Sequence, residues 1–287
     1  MCYLCPVTVP LGDRLHEPSR RPVVVALALA LLLGLSGVAE ATRADLARAR
    51  ALYNQRQFDG AIEAAVAAQR TPQTADAATI VLARAQLERY RERADPDDLA
   101  AARTALGTVR AANLDIRDGL DFLMALGQTL FLQDDYGAAA QLFESGLDRA
   151  VAAGPDAAEA MLDWWGSATE RHADTLGRAD RIQRFGQLGD RMALALARDP
   201  GSAAAGYWVV VAARGQGATD AAWDAAIASW VRARLAGTRS AMLRADLDKL
   251  VLEGIIPDRV QSGSTERRDQ ARSDLRAEWE LVKQRWK

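Results

Sequence analysis

From about residue 43 onward, apolar residues recur at intervals of three and four, and no stretch alternates with period two. A helix patterned this way is apolar along one stripe. With no strand to pack on, it must bury that stripe against other helices. The sequence therefore predicts an all-α protein of about eleven or twelve helices with no sheet. Composition agrees. Hydrophobic residues make up 49% and charged residues 26%, enough apolar surface for a core. Alanine leads the apolar set, which favours helix and lets helices approach closely.

Three stretches share an internal pattern. The first, ALYNQRQFDGAIEAAVAAQ, carries Leu52, Phe58, Ala61, Ala65 and Ala68. A looser copy, LERYRERADPDDLAAARTALGTV, carries Leu99, Ala102 and Leu106. The clearest is LGQTLFLQDDYGAAAQLFESGL, with Leu126-Gly127, Leu130, Tyr136, Ala139, Phe143 and Gly146. Small residues at these places would sit where two antiparallel helices cross, and aromatics would fill the gap to the next pair. In order and spacing, Leu126-Gly127, Tyr136, Ala139 and Phe143 resemble the tetratricopeptide repeat family. The resemblance implies a TPR-like α-α superhelix whose first helices line a concave binding face. Ala61, Ala102 and Ala139 are 41 and 37 residues apart. The family period is about 34, so the copies are degenerate, with longer loops.

The resemblance spans roughly residues 43–235. Residues 42–152 are read as N-terminal TPR-like pairs and 153–287 as a C-terminal helical array with a capping helix. In the second half, helices are expected over 157–175, 178–198, 203–214, 220–235 and 240–253, with a break at Gly254-Ile255-Ile256-Pro257 and a last helix over 264–286.

Residues 1–41 are read as a signal peptide. Arg14, Arg20 and Arg21 precede the apolar run 23–35, and Ala39-Glu40-Ala41 forms an A-x-A cleavage site. The run is short for a bilayer span of about 20 residues. Export to the periplasm or the cell exterior follows, with an uncleaved inner-membrane anchor as the alternative. Ser19-Arg20-Arg21 also leaves twin-arginine export open beside the general secretory route. Cleavage after Ala41 removes Cys2 and Cys5 and leaves His172 as the one histidine. Thiol catalysis, cysteine-based zinc sites and histidine-rich metal centres are then excluded, and no cofactor is expected. A net charge of -2 gives no field for nucleic acid.

All seven tryptophans lie beyond residue 160. Trp223, Ile227 and Trp230 form a core stripe, and Leu275, Trp279, Val282 and Trp286 form the docking stripe of the last helix. Trp164-Trp165 and Tyr207-Trp208 point about 100° apart within each pair, so one member of a pair is free to reach a groove. Trp164, His172, Tyr207, Trp208 and Arg214 are the candidate binding residues. Arg214 shares a stripe with Tyr207 and Val211, which suits a carboxylate on a peptide or solute. The reading is a non-catalytic scaffold for a protein or peptide partner in the cell envelope. Two alternatives stand beside it. One is an accessory subunit of a solute transporter. The other is a glycan- or peptide-acting hydrolase using Asp163 and Glu170 as acid and base, or His172 with Ser167 and an acid.

Overall fold

A computed structural model describes residues 43–260 and 265–287. Among the described residues there is no strand. The segment read as a signal peptide, with Cys2 and Cys5, lies outside them. The chain runs α1 (43–54), α2 (Phe58–Ala68), α3 (Ala75–Arg93), α4 (Pro96–Leu106), α5 (Ile116–Leu132), α6 (Tyr136–Ala153), α7 (Pro155–Asp174), α8 (Arg178–Arg198), α9 (Ala203–Gly215) and α10 (Thr219–Arg232). A 3₁₀ segment (Ala233–Arg239) leads into α11 (Ser240–Leu250), a π turn (Val251–Ile255), α12 (Ile256–Arg259) and α13 (Thr265–Arg285).

Local chemistry sets these boundaries. Asp95, Asp115 and Ser202 each accept a backbone N–H of the helix they precede, from Asp97, Asp118 and Ala205. Pro96 and Pro155 occupy first-turn positions, where a missing N–H costs nothing. Ala94 closes α3 in the left-handed conformation (φ 55°) directly before Asp95-Pro96.

Each helix packs on its sequence neighbour, and a second order of contact runs along the odd-numbered helices: α3 on α5, α5 on α7, α7 on α9 and α9 on α11. The odd helices thus form one closely packed row, and the even helices stand behind it. The mutually touching odd helices are the array's inner row. Gly127 on α5 shows why the pairs fit. A Cβ there would drive into the ring of Phe143 on α6. One hydrophobic cluster, from Leu120 through Phe143, Trp165 and Phe185 to Trp208, crosses the α6–α7 turn where the 152/153 division was drawn.

In the C-terminal half, Trp279 is fully buried, edge-on to Trp230 (centroids 5.3 Å apart) and tilted against Trp223 (6.0 Å). Leu275 and Val282 pack on the same cluster, so α13 docks by that stripe. The expected break at 254–257 does not occur as such. The chain passes through a π turn instead, which carries the helix register past Pro257, a residue with no N–H to donate. The α-helix of α10 also stops at Arg232, short of Leu235, and the 3₁₀ segment turns at Gly237 (φ 58°). No helix of the described residues is long and apolar enough to cross a membrane.

Candidate functional site

Three openings lie along the inner row, each sharing lining residues with the next. The first, about 610 Å³, is walled by α1, α3, α5 and the start of α7, with Tyr53, Arg84, Arg117 and Asp121 among its lining. The second, about 530 Å³, is walled by α7, α9 and α11. It shares Asp156 and Ala160 with the first. The third, about 380 Å³, continues along α9 and α11 into the π turn and shares Tyr207 and Asp246 with the second. The three openings succeed one another along the odd helices from α1 to the π turn, and together they are called the groove.

The middle opening is the most chemically defined. Tyr207 and Trp208 meet edge to face, with ring centroids 5.1 Å apart. The indole Nε1 of Trp208 donates to Oδ1 of Asp163 at 2.9 Å. Gly166, one turn along α7, lets that indole lie against the helix backbone, because a Cβ there would enter the ring. Glu159 accepts the N–H of Ala204 at the start of α9 (2.9 Å). Asp246 enters the same cavity from α11, while Asp156 is paired with Arg239.

The electrostatics follow from crowding between helices. Desolvation raises the Asp163 carboxyl above its ordinary value, and the charge of Asp246 adds to this, against the Trp208 hydrogen bond. Burial likewise raises Asp246. Glu170 is raised by burial and then by Asp174. The phenol of Tyr207 is pushed up to about 12, first by burial and then by Glu170, Asp246 and Asp163.

The five residues singled out in the sequence do not form one site. Tyr207 and Trp208 line the middle opening, and Tyr207 and Arg214 line the third. Trp164 packs against Phe131 (5.4 Å) and Phe143 (5.9 Å), with Arg91 over its face, and fills the gap between helix pairs. His172 lies against Gly137 of α6, where a Cβ would come within 3.0 Å of the imidazole. Ser167 lines the groove, and among the described residues no hydrogen bond joins it to His172. Arg214 is already engaged. Its Nε donates to Asp258 at 2.7 Å, and its guanidinium crosses Gly254 of the π turn to reach it. The carboxylate partner expected from a ligand is thus supplied by the fold.

Sequence reasoning missed Asp246, Glu159 and Asp156 as groove residues. Their separation from Tyr207 along the chain left no local pattern to find. Among the described residues, no group of three or more His, Cys, Asp or Glu side chains is placed to hold a metal ion. The chain matches no family model, no curated protein and no solved structure.

Proposed function

We propose that this chain is a non-catalytic binding scaffold of the tetratricopeptide-like kind. It takes an extended, positively charged peptide segment along its inner row, outside the cytoplasm. The succession of three openings along one row of helices carries this reading. A groove lined by successive helices of one row offers a long track to an extended chain, and a compact ligand would fill only one opening.

The sign of the ligand charge follows from what is already paired. In the first opening Arg50 is matched by Asp118 and Arg84 by Asp121, while Arg117 has no ion-pair partner among the described residues, so the anionic stretch is the middle opening. In the middle opening Glu159, Asp163 and Asp246 have no cationic side chain within ion-pair distance among the described residues. Aromatic rings beside unneutralised carboxylates suit a Lys or Arg side chain. The proposed localisation rests on residues 1–41, and mass spectrometry of the exported form should find its N-terminus just after Ala41.

A photo-crosslinking residue at Tyr207, compared with one at exposed Val66 on α2, tests the groove. Crosslinks to a basic peptide from position 207 and none from 66 support the reading. Equal labelling at both positions, or labelling at 66 alone, rejects it.

One observation favours a second reading. Asp163 and Asp246 stand on different walls of one cavity with both carboxyls raised, which suits an acid in a glycan- or peptide-cleaving enzyme. Loss of envelope-glycan or peptide cleavage in Asp163→Asn and Asp246→Asn, with peptide capture intact, would select it over the scaffold.

A further inference from the structure

Six arginines stack on aromatic rings in this molecule. Four of them also hold a carboxylate: Arg84 with Asp121, Arg91 with Glu88, Arg181 with Asp174 and Arg259 with Asp220. The other two have none within ion-pair distance among the described residues. Arg244 of α11 lies 5.2 Å over the ring of Trp230, and Arg234 of the 3₁₀ segment lies 5.6 Å over the ring of Trp286. Both therefore face the C-terminal end of α13.

The donors gathered there exceed the acceptors. Arg244 gives one N–H to the carbonyl oxygen of Trp286 at 3.0 Å. Its Nε is buried without an acceptor. Trp230 is only 8% exposed, and its indole Nε1 is also buried without an acceptor. Asp248, one turn beyond Arg244 on α11, is occupied by Trp279 (2.7 Å) and Lys283 (2.9 Å). Asp246 faces the groove on another side of α11. Buried donors without acceptors are costly, and a guanidinium held over a ring keeps its remaining N–H groups available to an oxyanion.

The geometry points to an oxyanion site formed by Arg234 and Arg244 around Trp286, taking a phosphate group. The two guanidinia come from separate segments, and a phosphate, with oxygens on every side, can accept from both at once. The same chemistry is offered by free phosphate and by a phospholipid headgroup. The site lies on the α10–α11–α13 end and is independent of the groove reading.

The test follows the indole N–H resonance of Trp230 by NMR in the whole described chain. Inorganic phosphate is titrated against chloride at equal ionic strength, and sedimentation is compared with phosphatidylglycerol and phosphatidylcholine vesicles. We expect a saturable shift with phosphate or selective sedimentation with phosphatidylglycerol, and the arm that responds identifies the source. Arg234→Gln, an exposed change that leaves the core alone, should weaken the response about tenfold, the scale of one charge-assisted hydrogen bond. Arg103→Gln on α4, exposed and away from both the groove and this end, should leave it unchanged. No response in either arm, or an undiminished response in Arg234→Gln, overturns the site.

Discussion

The indole of Trp208 on α9 hydrogen-bonds the carboxylate of Asp163 on α7 at 2.9 Å. This bond fixes the floor of the groove. It joins two helices of the inner row and turns one carboxylate oxygen toward the indole. It also orders the ring against which Tyr207 packs edge-on.

The Asp163 carboxyl makes a testable pH prediction. Its value in the fold is raised above the ordinary 3.8, so the fold binds that proton more tightly than the unfolded chain does. The stability this contributes is fully present below the ordinary value and is lost as pH rises through the raised one. Asp163→Asn keeps an acceptor for Trp208 and removes the desolvated charge. Urea unfolding at neutral pH should find it at least as stable as the parent, with the advantage vanishing at pH values below the carboxylate range. A clear loss of stability at neutral pH would contradict this account.

Tyr207 predicts a late phenol titration. With its value near 12, it should remain neutral where an ordinary tyrosine ionises. The ultraviolet difference between the parent and Tyr207→Phe should develop around pH 12 and be nearly absent at pH 10. A cationic peptide in the groove should lower that midpoint by offsetting Glu170, Asp246 and Asp163.

Two glycines predict opposite outcomes for the same substitution. At Gly127 a Cβ meets the ring of Phe143, which is buried and has nowhere to move. Gly127→Ala should cost about 1–2 kcal/mol, the overpacking penalty less the gain in helix propensity. At Gly254 a Cβ meets the guanidinium of Arg214, at 2.8 Å from Cζ, which is the far end of a flexible side chain. Gly254→Ala should change stability by no more than about 0.5 kcal/mol, because a part-exposed ion pair is worth little. Denaturant melts of the two variants compare them directly.

Trp279 predicts the role of α13. It is completely buried between Trp223 and Trp230. Trp279→Ala should cost about 3–5 kcal/mol and lower the melting temperature by on the order of 10 °C. Trp286→Ala, at the part-exposed end of the same stripe, should cost far less. Equal losses would mean that α13 docks by its end and not by its centre.

Much of the fold was legible because helix signals are local. Asp95-Pro96 and Gly154-Pro155 stand at helix starts, where caps and N1 prolines act within a few residues. The stripe Trp223, Ile227 and Trp230 read as core because its spacing belongs to one helix. Gly127 before Phe143 read as a crossing point, and the ring does lie on that glycine. The π turn was not legible. Gly254 and Pro257 are breakers in an isolated helix, but here Arg214 and Asp258 hold the segment together from outside it.

By itself the sequence determined that this chain is helical, where several helices of its second half begin and end, and which stripe of them is apolar. These follow from a 3.6-residue period and from chemistry within one turn. Tertiary structure alone decided which side chains share a groove and what charge that groove presents. Asp163 and Asp246 meet one cavity only because α7, α9 and α11 stack in one row. Arg214 is withdrawn from ligand chemistry only because Asp258 comes within 2.7 Å of it. Charge in a groove depends on which ions the fold has already paired, and pairing across dozens of residues leaves no mark on local periodicity.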